Sequence, residues 1–379
     1  MDYRKYLCED ILPFWIKYSL DKEEGGILTC LDKFGNVKDT IKNVWFEGRT
    51  LWSFALAYRL VEPKEEYLDA CRTAFDFFEK CTLPNGKLPH SAKKDGECIV
   101  HRDLYYSEGF AAMGCAQYYR ICKCEEVKKR AEQYFDIAFN QYYDPEMSIP
   151  ETPDRLPYVS FGLEMFMLSV AQFVRNAGIR VEECNKLAHD CINNMQTRGH
   201  VKDDEKIVIE YLPTKTEKLE SPNDLFSCPG HIYEAAWFVM CEGVEKNNKE
   251  YIDFGIKLLE YAMPQGFEKE TSNIPTGINH TDLTTYIWWP QCEAVIAFRL
   301  AHNLTGIQRY LDIANQIEGF AFDHYADFEN GEWYAETTKD GNVVNSDKGT
   351  FIKGPFHIPR MLFGLISLEE SGSIKNYMS

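Results

Sequence analysis

PGHIYEAAWFVMC, residues 229–241, opens on a Pro-Gly turn, places His231 next and then runs as a small, aromatic-rich apolar helix. Proline suits the first position of a helix, and a helix that is apolar almost all round has to be buried on both sides. Five other segments share the layout: GRTLWSFALAYRL (48–60), SEGFAAMGCAQYY (107–119), FGLEMFMLSVAQF (161–173), PQCEAVIAFRLAH (290–302) and GPFHIPRMLFGLI (354–366). With Arg49, Glu108, Glu164, Glu234, Glu293 and His357 as markers, successive segments stand 59, 56, 70, 59 and 64 residues apart. Each interval accommodates two helices of ordinary length plus loops, so the chain reads as six helical hairpins in series.

The stretches between the apolar helices are amphipathic. YLDACRTAFDFFEKC, VKKRAEQYFDIAFNQYY, YIDFGIKLLEYAM and YLDIANQIEGFAFDHYAD carry apolar residues at i, i+3, i+4 and i+7. The fold class is therefore all-α: twelve helices in six hairpins, closed into an (α/α)6 barrel with apolar helices inside and amphipathic ones outside. An open α-solenoid is the alternative. Period-two alternation is confined to KIVIEYL (206–212) and GEWYAETTKDGNVV (331–344), where Lys-Asp-Gly suggests a hairpin turn in a loop. No Ser/Gly/Pro-rich linker divides the chain, and residues 1–379 are read as a single barrel domain.

Composition narrows the function. Lys+Arg 41 against Asp+Glu 59 leaves a net charge of −18, with no basic run long enough to release counterions from phosphates, which disfavours nucleic acid and an anionic leaflet alike. The N-terminus, MDYRKYLCEDILPFWIKYSL, mixes Arg4, Lys5, Glu9 and Asp10 among its apolar residues and resembles neither a signal nor a transit peptide. The richest apolar stretch, around Glu164, is too short and too interrupted to span a bilayer. Thirteen cysteines without a CxxC pair suit reduced thiols in a cytoplasmic protein. Aromatics make up 14% of the chain, and amphipathic rings stack on sugar faces, so a carbohydrate ligand gains weight. An apolar outer face would favour a homodimer.

In a closed barrel the starts of the inner helices converge on one mouth. Arg49, His231, Glu234, Glu293, His357 and Arg360 fall at those starts. His231 and Glu234, like His357 and Arg360, are related by i, i+3 and share a helix face. No HExxH, Walker sequence, strand-borne GxGxxG or GxSxG elbow occurs, so neither a metal centre nor a nucleotide site is expected from a motif. Two histidines and a carboxylate could still meet in space around a metal. His280, in the NHTD run of the long stretch between Pro264 and Trp288, is a candidate lid residue.

GRTLWSFALAY, PGHIYEAAW, WWPQCEAVIAF and KGPFHIPRML resemble, in order and spacing, the signature segments of the N-acylglucosamine 2-epimerase family, from about Trp45 to Leu365. The resemblance implies an (α/α)6 barrel and a sugar epimerase or isomerase. KGPFHIPR looks more like the acylglucosamine branch than the cellobiose 2-epimerase branch, which usually has an aromatic residue where Pro355 stands. By the same resemblance Arg49 binds the sugar oxygens near C1 and C2, and His231 and His357 are the catalytic histidines. Glu234 and Glu293 hydrogen-bond those histidines or the substrate, and Trp237, Trp289, Glu210 and Arg360 belong to the substrate site. On the third inner helix, where some relatives carry a ring-opening polar residue, the chain offers Ser160, Glu164 and Met165. ATP activates vertebrate members, and no motif here corresponds to it.

The chemistry agrees with that inventory. The C2–H bond of an aldose is acidic only beside an open-chain aldehyde; a base removes the proton to give an enediolate, and an acid returns one to the opposite face. Two imidazoles suit both tasks near neutrality, and a planar guanidinium suits the O1 oxyanion. No redox cofactor or metal is required. The expected activity is interconversion of N-acetyl-D-glucosamine and N-acetyl-D-mannosamine. Alternatives are an aldose–ketose isomerase or cellobiose 2-epimerase, and an (α/α)6 glycoside hydrolase drawing its carboxylates from Glu108, Glu164 and Glu293.

Overall fold

A computed structural model describes residues 1–101, 106–144, 158–213, 226–263, 272–278 and 285–374. An N-terminal helix runs without a break through α1 (Tyr3–Tyr6), a π-helical turn (Leu7–Ile11) and α2 (Leu12–Tyr18). Five antiparallel pairs follow: α3 (Trp45–Leu60) with α4 (Glu65–Cys81), α5 (Tyr106–Cys122) with α6 (Glu125–Tyr142), α7 (Phe161–Asn176) with α8 (Val181–Thr197), α9 (Pro229–Glu245) with α10 (Lys249–Ala262), and α11 (Trp288–Thr305) with α12 (Gln308–His324). The last helix is α13 (His357–Ser371).

Burial separates the two rings as the pattern requires. α9 is buried at every position from Ile232 to Gly243, whereas α4 buries only Tyr67, Ala70, Cys71, Ala74, Phe77, Phe78 and Cys81, one stripe at helical spacing. Each inner helix packs on the next, α3 on α5, α5 on α7, α7 on α9, α9 on α11 and α11 on α13, and α13 returns to α3. That last contact closes the barrel and excludes the open solenoid.

The sixth hairpin differs from the five in series. The outer partner of α13 is the N-terminal helix, which packs on it through α1 and the π-helical turn. Tyr3 donates to Glu318 at 2.6 Å and Trp15 donates to Glu332 at 2.7 Å, tying this helix to α12 and to the loop before α13. Twelve helices thus form six pairs among the described residues, with the chain's two ends sharing one pair.

Short strands lie beside the starts of inner helices. β1 (Lys42–Asn43), β2 (Ser91–Ala92) and β3 (Cys98–Val100) form one antiparallel sheet, and β4 (Tyr158–Ser160) pairs with β7 (Tyr211–Pro213) just before α7. β5 (Val201–Lys202) pairs with β6 (Ile207–Val208), so the alternating KIVIEYL run supplies residues to two strands of different sheets, β6 and β7. β8 (Tyr286–Ile287), β9 (Glu336–Thr337) and β10 (Val343–Asn345) form the fourth unit, and the β9–β10 turn uses Gly341 at φ 85° as Lys-Asp-Gly suggested. The thirteen cysteines are all free. Among the described residues no helix is long and apolar enough to cross a membrane.

Candidate active site

Two imidazole–carboxylate pairs face one end of the barrel. His231, in the first turn of α9, places Nδ1 3.1 Å from Oε2 of Glu210. Glu210 precedes β7 and is clamped by its backbone: its N–H donates to Phe226 O and its C=O accepts from Phe161 N, both at 2.8 Å. Its other carboxylate oxygen accepts from the Ser160 hydroxyl at 2.6 Å and the Gly162 amide at 3.0 Å. His357, the first residue of α13, sets Nδ1 2.7 Å from Oε1 of Glu293 on α11. Trp237 donates from its indole to Oε2 of Glu293 at 3.0 Å.

The two pairs are electrostatically unlike. Burial works against charge on His231, but Cys228 and Glu210 beside it outweigh burial and hold the imidazole well above its ordinary value. Burial also opposes ionisation of Glu210, yet His231, Ser160 and the Gly162 amide keep its carboxyl below the usual range. His357 goes the other way: burial, then the Arg360 and Arg49 guanidinium groups, depress it well below an ordinary imidazole. Around neutral pH the His231 ring is biased towards its charged form and the His357 ring towards its neutral form.

Trp289 connects them. Its indole lies 5.5 Å from the His231 ring and 5.3 Å from the His357 ring, tilted 34° to each. Gly230 lets the indole approach, because a Cβ there would collide with it. Gly162 does the same for His231: a Cβ would stand 2.7 Å from Nδ1 and 2.9 Å from Oε1 of Glu210.

Arg49, from α3, sits among rings, its guanidinium carbon 4.3 Å from the centroid of Phe110, 4.6 Å from Phe356 and 5.0 Å from Phe46. Burial, then repulsion from Arg360, lowers its pKa to about 9, so it stays charged at neutrality. Its Nε is buried and has no hydrogen-bond partner among the described residues. A guanidinium held in an aromatic cage with donor capacity to spare suits an oxyanion.

The structure redistributes several expected roles. Glu234 does not serve His231; its carboxylate pairs with Arg360 on α13, and Glu210 takes the imidazole instead. Arg360, expected at the substrate, is 2% exposed and bound to both Glu234 and Glu293, so its charge is consumed inside the barrel wall. Trp237, expected as an aromatic wall, is fully buried against Phe238 and cannot meet a sugar. Glu210, expected at the substrate, is 1% exposed and acts through His231. Trp289 is half-buried beside both imidazoles. His280 lies outside the described residues.

The six helix starts do not all converge. Glu108 accepts from Leu88 N at 2.8 Å, and Glu164 is held by Tyr142, Asn194 and Arg198 of the outer layer. Glu164 is the fourth residue of α7 while Glu234 is the sixth of α9, a difference of about 200° around a helix. The carboxylate set suggested for a glycoside hydrolase is thereby dispersed. Ser160 and Gly162 are the residues the third inner helix contributes. Gly162 had a legible signal, since Gly48, Gly109, Gly230 and Gly354 recur near the starts of the other segments.

Comparisons with known proteins agree with this geometry. A family model described as N-acylglucosamine 2-epimerase (GlcNAc 2-epimerase) matches residues 25–352, beginning earlier than the signature segments and stopping just before KGPFHIPR. The N-acylglucosamine 2-epimerase of Bos taurus is 27% identical over 372 residues, which cover 93% of this chain and 87% of that protein. The cellobiose 2-epimerase of Ruminococcus albus is 25% identical over 393 residues, 96% of this chain and 97% of that one. The solved cellobiose 2-epimerase of Spirochaeta thermophila superposes with a TM-score of 0.86 at 20% identity, covering 98% of this chain and 97% of that chain, a likeness of fold.

Proposed function

The chain belongs to the N-acylglucosamine 2-epimerase family and is a carbohydrate epimerase; from that premise we propose that it interconverts N-acetyl-D-glucosamine and N-acetyl-D-mannosamine by inverting C2 of the ring-opened sugar. The observation that carries the reading is the pair of oppositely poised imidazoles, His231 with Glu210 and His357 with Glu293, sharing Trp289. The acetamido substrate is favoured by the KGPFHIPR resemblance, where Pro355 departs from the cellobiose branch.

A carboxylate only accepts hydrogen bonds, so Nδ1 of His231 carries a proton towards Glu210. Nδ1 of His357 lies 2.7 Å from Glu293 and 3.2 Å from the Arg360 guanidinium. In the proposed tautomer the nearer carboxylate accepts its proton, which leaves both Nε2 atoms for the chemistry. Neutral His357 takes the C2 proton on Nε2. The electrons of that bond pass into the C1 carbonyl, and the negative charge on O1 is met by Arg49. His231, charged, delivers the proton on its Nε2 to C2 from the other side. His231 and His357 project from α9 and α13, which are separated in the ring by α11, so two directions of approach are available. After one turnover His357 is charged beside Arg360 and Arg49 and His231 is neutral; the repulsion favours loss of the His357 proton to water, His231 takes one up from water beside Glu210, and the starting state is restored. The reverse reaction exchanges the roles.

The test is incubation with N-acetylmannosamine, mannose and cellobiose separately in D2O, followed by NMR. The expected product is N-acetylglucosamine with deuterium at C2, and His231→Ala or His357→Ala each removes most turnover. A product without label, turnover of mannose to a ketose with none of N-acetylmannosamine, or full activity in both variants overturns the reading.

A further inference from the structure

The His231–Glu210 pair has a third neighbour, which carries no proton in the proposed mechanism. Cys228 is the residue before Pro229, at the N-terminal boundary of α9, and its side chain is buried. A sulfur, a carboxylate oxygen and a ring nitrogen from Cys228, Glu210 and His231 lie within 4.8 Å of one another.

We propose that Cys228, Glu210 and His231 form an inhibitory site for a zinc-class divalent cation, which stops epimerisation by occupying the imidazole of His231. Thiolate, imidazole and carboxylate are the donor set of borderline-soft zinc, and three protein ligands leave a fourth position for water or a sugar hydroxyl. Bond lengths of about 2.0–2.3 Å in a tetrahedral site put ligand atoms roughly 3.5 Å apart, so closing the triangle takes side-chain adjustments of about an ångström. The backbone is already placed. Glu210 is clamped between Phe161 and Phe226, and Cys228 and His231 sit in one turn, with Ile232 N donating to Cys228 O at 3.1 Å. Oε1 of Glu210 is occupied by Ser160 and Gly162, leaving Oε2 on the His231 side for a cation.

Charge selects this trio over the other cluster of potential ligands, Glu234, Glu293 and His357. Arg360 stands inside that second cluster, 2.6 Å from Glu293 and paired with Glu234, and repels a cation. Among the described residues the ion-pair partner of Glu210 is His231 itself. On the metal the ligands are thiolate, carboxylate and neutral imidazole, and binding releases whatever protons those groups carried beforehand. His231 is 29% exposed, so the site is reachable from the barrel mouth.

The inhibition half of the proposal rests on His231 as a proton carrier; the binding half does not. Full-length protein freed of metal is titrated with Co2+ in the absence of substrate, then with ZnCl2 while turnover of N-acetylmannosamine is followed. The expected result is a thiolate-to-cobalt charge-transfer band that saturates at one equivalent and disappears as zinc displaces cobalt. Activity falls with the same stoichiometry and returns with a chelator. Cys228→Ser and Cys228→Ala lose the band and, each measured against its own metal-free rate, need at least about tenfold more zinc for half-inhibition. Zinc also protects Cys228 from alkylation, read by peptide mass, which tests the site in the unsubstituted protein. Absence of the band, unprotected Cys228 or unchanged inhibition in both variants overturns the proposal. A protein with the band and protection but no epimerase activity would instead overturn the reading of function.

Discussion

Nδ1 of His357 stands 2.7 Å from Oε1 of Glu293, on the neighbouring inner helix and 64 residues earlier in the chain. That bond sets the tautomer of the base. Arg360 binds the same carboxylate and opposes the rise that burial imposes on Glu293, while burial and then the Arg360 and Arg49 guanidinium groups hold the imidazole well below its ordinary value.

Glu293→Gln offers His357 an amide in place of an acceptor-only carboxylate and releases the wrong tautomer. The expected loss is about 10²-fold or more in kcat with little change in KM, since the effect falls on proton transfer. Steady-state kinetics alongside an unchanged circular dichroism spectrum check it; wild-type kcat in the variant would count against the assignment.

The pH profile should be a broad bell. His357 is depressed, so the acid limb, where the base becomes protonated, lies below the ordinary imidazole value of about 6.5. His231 is raised, so the alkaline limb, where the acid loses its proton, lies above it. Both directions share the profile, because the singly protonated pair serves either epimer. In Glu210→Gln the alkaline limb moves down, as His231 loses the carboxylate that holds its charge. Limbs that stay in place in this variant would show that His231 is not the titrating acid.

Gly162→Ala places a methyl group where Nδ1 of His231 and Oε1 of Glu210 now sit, 2.7 and 2.9 Å from the new Cβ. The imidazole has to shift, and a displacement of about an ångström costs roughly 10²-fold in rate. Thermal unfolding should change far less than turnover. Equal losses in both would indicate a packing defect instead.

Arg49→Lys keeps the charge but not the planar fork, and an ammonium cannot fill the aromatic cage made by Phe110, Phe356 and Phe46 in the same way. A loss of about 10²-fold or more in kcat/KM is expected, the scale of removing one oxyanion donor. Kinetics on N-acetylmannosamine would show it.

Lys353→Met tests how the start of α13 is held. Lys353 Nζ lies 2.6 Å from Oε1 of Glu332, with the two side chains 0% and 1% exposed. Removing one partner of a buried pair leaves an uncompensated charge and costs about 3–5 kcal/mol. Urea unfolding measures it, and a change under about 1 kcal/mol would contradict the role given to this pair.

Legibility in the sequence followed the physics. A helix such as α9, apolar on every side, announces burial by composition, and repetition of that pattern announces a ring. His231 and His357 were visible because each stands at a helix start shortly after a Gly- and Pro-bearing turn, Pro229-Gly230 and Gly354-Pro355. The partner of His231 was not. Glu234, at i+3, shares its helix face, but a nearby guanidinium and a clamped loop compete for the same groups, and Arg360 takes Glu234 while β7 delivers Glu210. Glu164 failed for a reason of register, since two residues' difference in position turns a side chain toward the outer layer.

By itself the sequence determined the two-layer helical architecture, the family, and the histidines and arginine that a C2 epimerisation calls for. These follow from local periodicity and residue chemistry. Only the tertiary structure decided that the N-terminal helix completes the sixth pair and that the ring is closed. It also decided that Arg360 and Trp237 are buried supports and that the two imidazoles are biased in opposite directions. Each of those depends on which groups from distant segments share one desolvated space, and burial, hydrogen bonds and neighbouring charge act through distances that the linear order of residues does not contain.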